Sequence, residues 1–170
     1  MILESLANTV LSIISAAGYW GIFFLSLVES AAIPIPSEVV LPFSGFLAAT
    51  GQFHIGTVIL VATLGNWAGS LILYAIGRSG GRSFLERYGK YIFVHADDLD
   101  RADHWFHRHG SETVFWGRII PLVRTFISLP AGVSRMRMSP FNIYTVTGAA
   151  IWNGVLAFIG YKMGENWNIL

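Results

Sequence analysis

The sequence predicts an all-α, polytopic membrane protein with two broken-helix, re-entrant hairpins. Three observations predict it. Only 12% of the 170 residues are charged while 54% are hydrophobic, whereas soluble domains carry about 25% charged residues. Three uncharged runs, 5–28, 55–77 and 141–161, are each long enough for an apolar core of about 30 Å. Two further apolar stretches, 29–42 and 115–132, carry both charges and prolines.

The first run holds Gly18-Tyr-Trp20-Gly21, which splits it. Leu6, Val10, Ile13 and Ile14 follow helical spacing, so a surface or short helix is expected to about Ala17 and a second from Trp20 to Ser30. Pro34, Pro36 and Pro42 follow. Proline removes a backbone donor and restricts the residue before it, which predicts non-helical chain to Pro42. The apolar piece 43–50 is too short to span and suits the return arm of a re-entrant hairpin. Gly51-Gln-Phe-His54 reads as a turn. The run 55–77 then predicts a spanning helix with Gly65 and Gly69 four apart, a spacing that lets helices approach closely in lipid.

Between Arg78 and Glu112 six basic and six acidic residues alternate, which marks a water-facing insert. Asp97 or Asp98 can cap a helix to about His109, ended by Gly110. Leu99, Ala102, Trp105 and Phe106 give it an apolar stripe. The basic residues favour the cytoplasmic side, since acids count little in that rule. His95, His104, His107 and His109 lie among Asp97, Asp98, Asp100 and Asp103. Their spacing fits no zinc-site template, and a solvated face explains them. No metal and no cofactor is expected.

The stretch from Thr113 to Gly132 places Arg118 and Arg124 in apolar sequence broken by Pro121 and Pro130. A charge at bilayer depth is costly and marks function by default. Broken backbone there needs protein or water to satisfy it. The opposing charges are Glu29 and Glu38 in the first broken stretch. Ser139-Pro140 then starts a spanning helix closed by Lys162. Each half thus reads as a broken, proline-bearing hairpin followed by a spanning helix, the pattern of a transporter with inverted repeats. One membrane domain is expected, with halves 1–77 and 113–170 around the insert 78–112.

Glu29-x4-Pro34-x-Pro36-Ser-Glu38, Gly65-Asn66-x2-Gly69, Tyr74-x2-Gly77-Arg78 and Phe115-x2-Arg118-x2-Pro121-x2-Arg124 together resemble the DedA family, also called the SNARE-associated or VTT domain. Ala131-Gly132-x3-Met136 and Trp152 also fit. The resemblance covers nearly the whole chain. It implies a multi-pass protein of the bacterial inner membrane, with two re-entrant hairpins facing each other. It also implies lipid translocation: recycling of undecaprenyl phosphate or phospholipid flipping, often driven by the proton motive force. The family's membrane acids match Glu29 and Glu38, and its functional arginines match Arg118 and Arg124. Asn66 stands where members often carry Asp, which removes one candidate proton site. Members usually continue into a further span where this sequence ends, so a missing C-terminal span is an expectation.

Arg118 and Arg124 are expected to bind phosphate, because guanidinium is planar, always charged and bidentate toward phosphate oxygens. The plain alternative is snorkelling to the headgroups. On one unbroken helix six residues would set them about 240° apart, and Pro121 is what lets both face one pocket. Glu29 and Glu38 are expected to carry protons or balance charge, the alternative being a structural ion pair. Pro34, Pro36, Pro121, Pro130 and Gly132 are expected to shape the pocket, with Asn66 as a hydrogen-bonder. The expected cargo is a lipid phosphate such as undecaprenyl phosphate, coupled to protons. Alternatives are a phospholipid flippase or scramblase, for instance for phosphatidylethanolamine, an intramembrane lipid-phosphate enzyme, and a non-transporting assembly factor. A homo-oligomer is compatible with either transport reading. An enzyme is not expected: the chain lacks cysteine, a His-Glu-x-x-His motif, a Gly-x-Ser-x-Gly elbow and a Walker A loop, and 115–132 has no histidine. With net charge +1 and no concentrated basic stripe, nucleic acid is not an expected partner.

Overall fold

The computed structural model describes residues 2–31, 37–81, 100–101, 104–105, 108–110, 112–120 and 123–165. Among them there are helices and turns but no strand. Helix α1 covers Ile2–Ala17 and α2 covers Tyr19–Ser30. Gly18 divides them at φ 57, left-handed backbone that glycine enters without steric cost. Helix α3 runs Ser37–Ala49 with Pro42 inside it. The expected start near Phe43 is therefore corrected to Ser37. Pro42 forfeits one hydrogen bond, at about 3 kcal/mol, but its turn packs directly on the last spanning helix. Pro34 and Pro36 lie outside the described residues.

Helix α4 is Ile55–Ile76, followed by a wide π-type turn at Gly77–Gly81. In the insert, residues 100–101, 104–105 and 108–109 are helical, and Gly110 at φ 64 ends them as expected. Trp105 stacks on His109 at 3.9 Å and is exposed. His95, Asp97, Asp98, Leu99, Ala102, Asp103, Phe106 and His107 lie outside the described residues. The second broken stretch consists of α5 (Glu112–Ile119), α6 (Val123–Phe126) and α7 (Ser128–Val133). Helix α8, Met138–Glu165, starts one residue before the expected cap.

Two segments are long and apolar enough to cross a membrane, Ile55–Gly80 and Met138–Glu165. They run antiparallel: Val58 shares a core cluster with Ala157, Asn66 bonds Asn153, and the Tyr74 and Phe141 rings meet at 4.5 Å. Leu60, Leu64, Ile72 and Ile76 on α4, and Ile143, Ile151, Val155 and Phe158 on α8, are exposed. A face of large apolar side chains on both spans suits lipid rather than water.

Small residues set the packing. A Cβ on Gly65 or Gly69 would lie 2.4 Å from the Phe23 carbonyl or 2.1 Å from the Leu27 carbonyl, so the Gly-x-x-x-Gly step seats α2 on α4. A Cβ on Gly160 would lie 1.8 Å from the Pro42 carbonyl, and one on Gly45 2.0 Å from the Ala157 carbonyl. That close approach seats the proline-bearing helix α3 directly on α8. Two apolar clusters result. One joins Ile14, Ile22, Val40, Leu41, Val58 and Ala157; the other joins Tyr74, Val114, Ile127, Ala131 and Phe141.

Candidate functional site

Between these clusters lies a buried polar layer. On α4 it comprises Thr63, Asn66 and Ser70, and on α8 Thr145 and Asn153. Asn66 sits at the middle of α4 and Asn153 just past the middle of α8. The Asn66 amide donates to the Ser26 carbonyl at 3.0 Å and to Ser30 Oγ at 2.8 Å. Asn153 Nδ2 donates to Asn66 Oδ1 at 2.9 Å and to Thr63 Oγ1 at 3.2 Å. This network ties α2, α4 and α8 together where an unpaired polar group would be most costly.

The arginines enter this layer from the broken stretch. Arg124, on α6, is buried and forms an ion pair with Glu29 at the end of α2. It also donates to Ser37 Oγ at the start of α3. Its guanidinium carbon lies 5.2 Å from the centre of the Trp152 ring, a cation–π contact. Arg118, on α5, is 3% exposed. Its NH2 donates to Ser70 Oγ and to Ser128 Oγ, both at 2.7 Å. Ser70 spends its own proton on the Asn66 carbonyl at 2.6 Å, so it meets Arg118 with lone pairs only. Arg118 Nε is buried without a partner, and among the described residues no carboxylate is within ion-pair distance of Arg118. Arg118 and Arg124 are near enough to repel each other electrostatically.

Helix α8 is the platform for both. A Cβ on Gly148 would lie 2.9 Å from Arg118 Cβ, so the glycine makes room for that stem. Trp152, one turn further along α8, carries the Arg124 head.

The expected residues divide as follows. Arg118, Arg124, Glu29 and Asn66 converge in one layer. Glu38 is exposed on α3 and takes no part in the Arg124 pair, although it stands in electrostatic range of Glu29. Gly132 is a backbone contact, since a Cβ there would lie 2.2 Å from the Tyr74 carbonyl. Pro130 is half-buried within α7. Pro121 lies outside the described residues, but the chain leaves the helix at Ile120, beside it.

Sequence reasoning missed Ser37, Ser70, Ser128, Thr63, Asn153 and Gly148. A signal for part of the set exists. Thr63, Asn66 and Ser70 recur at helical spacing in an otherwise apolar run, as do Ser26, Glu29 and Ser30 on α2. Polar stripes in spanning helices face protein or a cavity.

The VTT domain family matches residues 35–162 of this chain. The membrane protein YkoX of Bacillus subtilis is 40% identical over 165 residues, covering 97% of this chain and 73% of the relative. A protein of Lactococcus lactis subsp. lactis named alkaline phosphatase-like is 39% identical over 166 residues, covering 95% of this chain and 78% of the relative. Undecaprenyl phosphate transporter A of Staphylococcus aureus is 37% identical over 161 residues, covering 92% of this chain and 79% of the relative. No solved structure matches.

Proposed function

We propose that this chain, which belongs to the VTT-domain (DedA) family of membrane proteins, carries a lipid phosphate, such as undecaprenyl phosphate, across the bilayer. The observation that carries the reading is Arg118: a buried cation that, among the described residues, is held by two hydroxyls and no carboxylate, close to the buried Arg124–Glu29 pair. A phosphate is the ligand that two such guanidinium groups fit. The name of the staphylococcal relative supports the polyprenyl phosphate.

In this reading Arg118 and Arg124 bind the headgroup. Glu29 holds Arg124 when the site is empty of substrate, and gives it up when a phosphate competes. A proton on Glu29 would ease that exchange and couple transport to a pH gradient. Glu38, exposed beside Ser37, serves as a second charge at the rim. Asn66, Gly132 and the prolines Pro34, Pro36, Pro121 and Pro130 fix the shape. The segments α2–α3 and α5–α7 act as two re-entrant hairpins, related as inverted repeats, within one multi-pass domain of the bacterial inner membrane. Halves 1–77 and 113–170 flank the cytoplasmic insert. Support comes from the ion pair that joins the two broken stretches, and from the polar layer at mid-helix in both spans.

The chain is of transporter type and not an enzyme: the substrate-bearing name among its relatives is that of a transporter. The phosphatase-like name belongs to the lactococcal relative, and the stretch 115–132 that bears the arginines here has no histidine. The test is translocation in proteoliposomes of a labelled polyprenyl phosphate, its polyprenol and phosphatidylethanolamine, with and without a pH gradient. Accelerated flipping of the phosphate but not the alcohol is expected. Equal rates in protein-free vesicles would overturn the reading, and release of inorganic phosphate would restore the enzyme.

A further inference from the structure

Trp152 is placed as more than a packing residue. Its ring face is occupied by Arg124, whose guanidinium carbon is 5.2 Å from the ring centre. Its indole nitrogen is buried and has no hydrogen-bond partner among the described residues. These two facts do not compete. The indole N–H lies in the ring plane and points from the edge, whereas the cation sits over the face. An indole can only donate, so the group that satisfies it must be an acceptor. Buried donors without partners are rare and call for an explanation.

A second unpartnered donor stands close by. Arg118 Nε is also buried and unbonded. The Arg118 stem packs over Gly148, and Trp152 follows four residues later on α8, about 6 Å along the axis. The same face of α8 therefore presents an indole N–H, an arginine Nε–H and the Arg124 head. All are donors, and two carry positive charge. An anion with several acceptor oxygens is the chemical class that fits such a set.

We propose that Trp152 is a third phosphate-binding group: its N–H donates to an oxygen of the lipid phosphate, while its ring keeps the Arg124 guanidinium facing that phosphate. This rests on the lipid-phosphate reading above. It adds a neutral donor that neither arginine can replace, fixed in direction by the stack.

The probe is farnesyl phosphate, with farnesol as the control, added to the purified protein in detergent. The Trp152 indole signal in a nitrogen-15 spectrum is assigned with Trp152→Phe, or by replacing the other tryptophans one at a time. Farnesyl phosphate is expected to move that signal downfield, and farnesol to leave it in place. Trp152→Phe keeps a ring for the stack but loses the donor, so its farnesyl phosphate affinity should fall about tenfold with an unchanged melting temperature. Wild-type binding with an unmoved indole signal, or Trp152→Phe binding as tightly as wild type, would reduce Trp152 to a stacking platform and overturn the proposal alone. A wild-type protein that binds no farnesyl phosphate would overturn the lipid-phosphate reading, and this one with it.

Discussion

Replacing Gly148 by alanine tests whether the position of Arg118 matters, without touching any polar group. The added Cβ would sit 2.9 Å from Arg118 Cβ. Carbon atoms rest at about 3.5–4.0 Å, so α5 must retreat from α8 by roughly 0.6–1.1 Å. Both atoms are fixed to their backbones, which leaves no rotamer to absorb the shift. Arg118 NH2 is 2.7 Å from Ser70 Oγ and from Ser128 Oγ. The same retreat would stretch these bonds to about 3.3–3.8 Å, beyond the normal range. Bonds to a charged group are worth about 1.5–3 kcal/mol each, while Gly→Ala in a helix returns at most about 1 kcal/mol. Net destabilisation of about 2–5 kcal/mol is expected for the two bonds together, with polyprenyl phosphate flipping reduced at least tenfold. Gly154→Ala is the matched control, since it lies on the same helix and its new Cβ meets nothing within 4 Å. It should melt no lower than wild type and transport normally. The assay is flipping in proteoliposomes beside a thermal melt of both variants. If Gly148→Ala transports like Gly154→Ala, the placement of Arg118 over α8 does not control function.

Arg124→Lys keeps the charge but loses the planar guanidinium whose NH2 donates to both Glu29 and Ser37 and which lies over Trp152. It should insert normally and flip polyprenyl phosphate at least tenfold more slowly, and wild-type transport would refute a geometric role. Glu29→Gln keeps an acceptor for Arg124 but cannot titrate. The ion pair is lost, so stability should fall by up to about 3–5 kcal/mol, and transport driven by a pH gradient should collapse. A destabilised Glu29→Gln protein with an unchanged pH profile would leave the acid a purely structural role. Gly160→Ala puts a Cβ 1.8 Å from the Pro42 carbonyl, so α3 must separate from α8. Loss of the folded, monodisperse protein in detergent is expected, and a normal melting profile would show that this contact yields cheaply.

Where the sequence spoke clearly, it did so through cost. An arginine or a proline in an apolar run demands an explanation, and Arg118, Arg124, Glu29 and the interruption between α5 and α6 were legible for that reason. Gly65 and Gly69 were legible because small residues four apart in a long apolar helix have few other uses. Serine, by contrast, is unremarkable anywhere. Ser37, Ser70 and Ser128 acquire meaning only when three separate helices bring them to two guanidinium groups. Gly148 and Gly160 carried no signal either, because what they allow depends on the partner backbone across the contact. The start of α3 was misplaced because local proline preference was weighed without the packing against α8. Glu38 was grouped with Glu29 by composition, yet a helix start that buries Ser37 leaves its neighbour Glu38 exposed.

The break in the second half explains how two arginines come to share a layer. Six residues on a continuous helix would send them to different sides, about 240° apart. Helix α5 ends at Ile119 and α6 starts at Val123, so the two arginines stand on separate helices. Arg118 then reaches across to Ser70 on α4, and Arg124 reaches Glu29 on α2. The result is an unbalanced site. Among the described residues two buried arginines face one buried acid. Hydroxyl oxygens can accept from a guanidinium but cannot neutralise it. A buried positive charge without a counter-ion is expensive at membrane depth, and it is an expense that an arriving anion removes. The same imbalance therefore favours an anion, which is what the proposed lipid-phosphate cargo would supply. An acid placed beside Arg118 would make the fold more comfortable and the site less attractive to an anion.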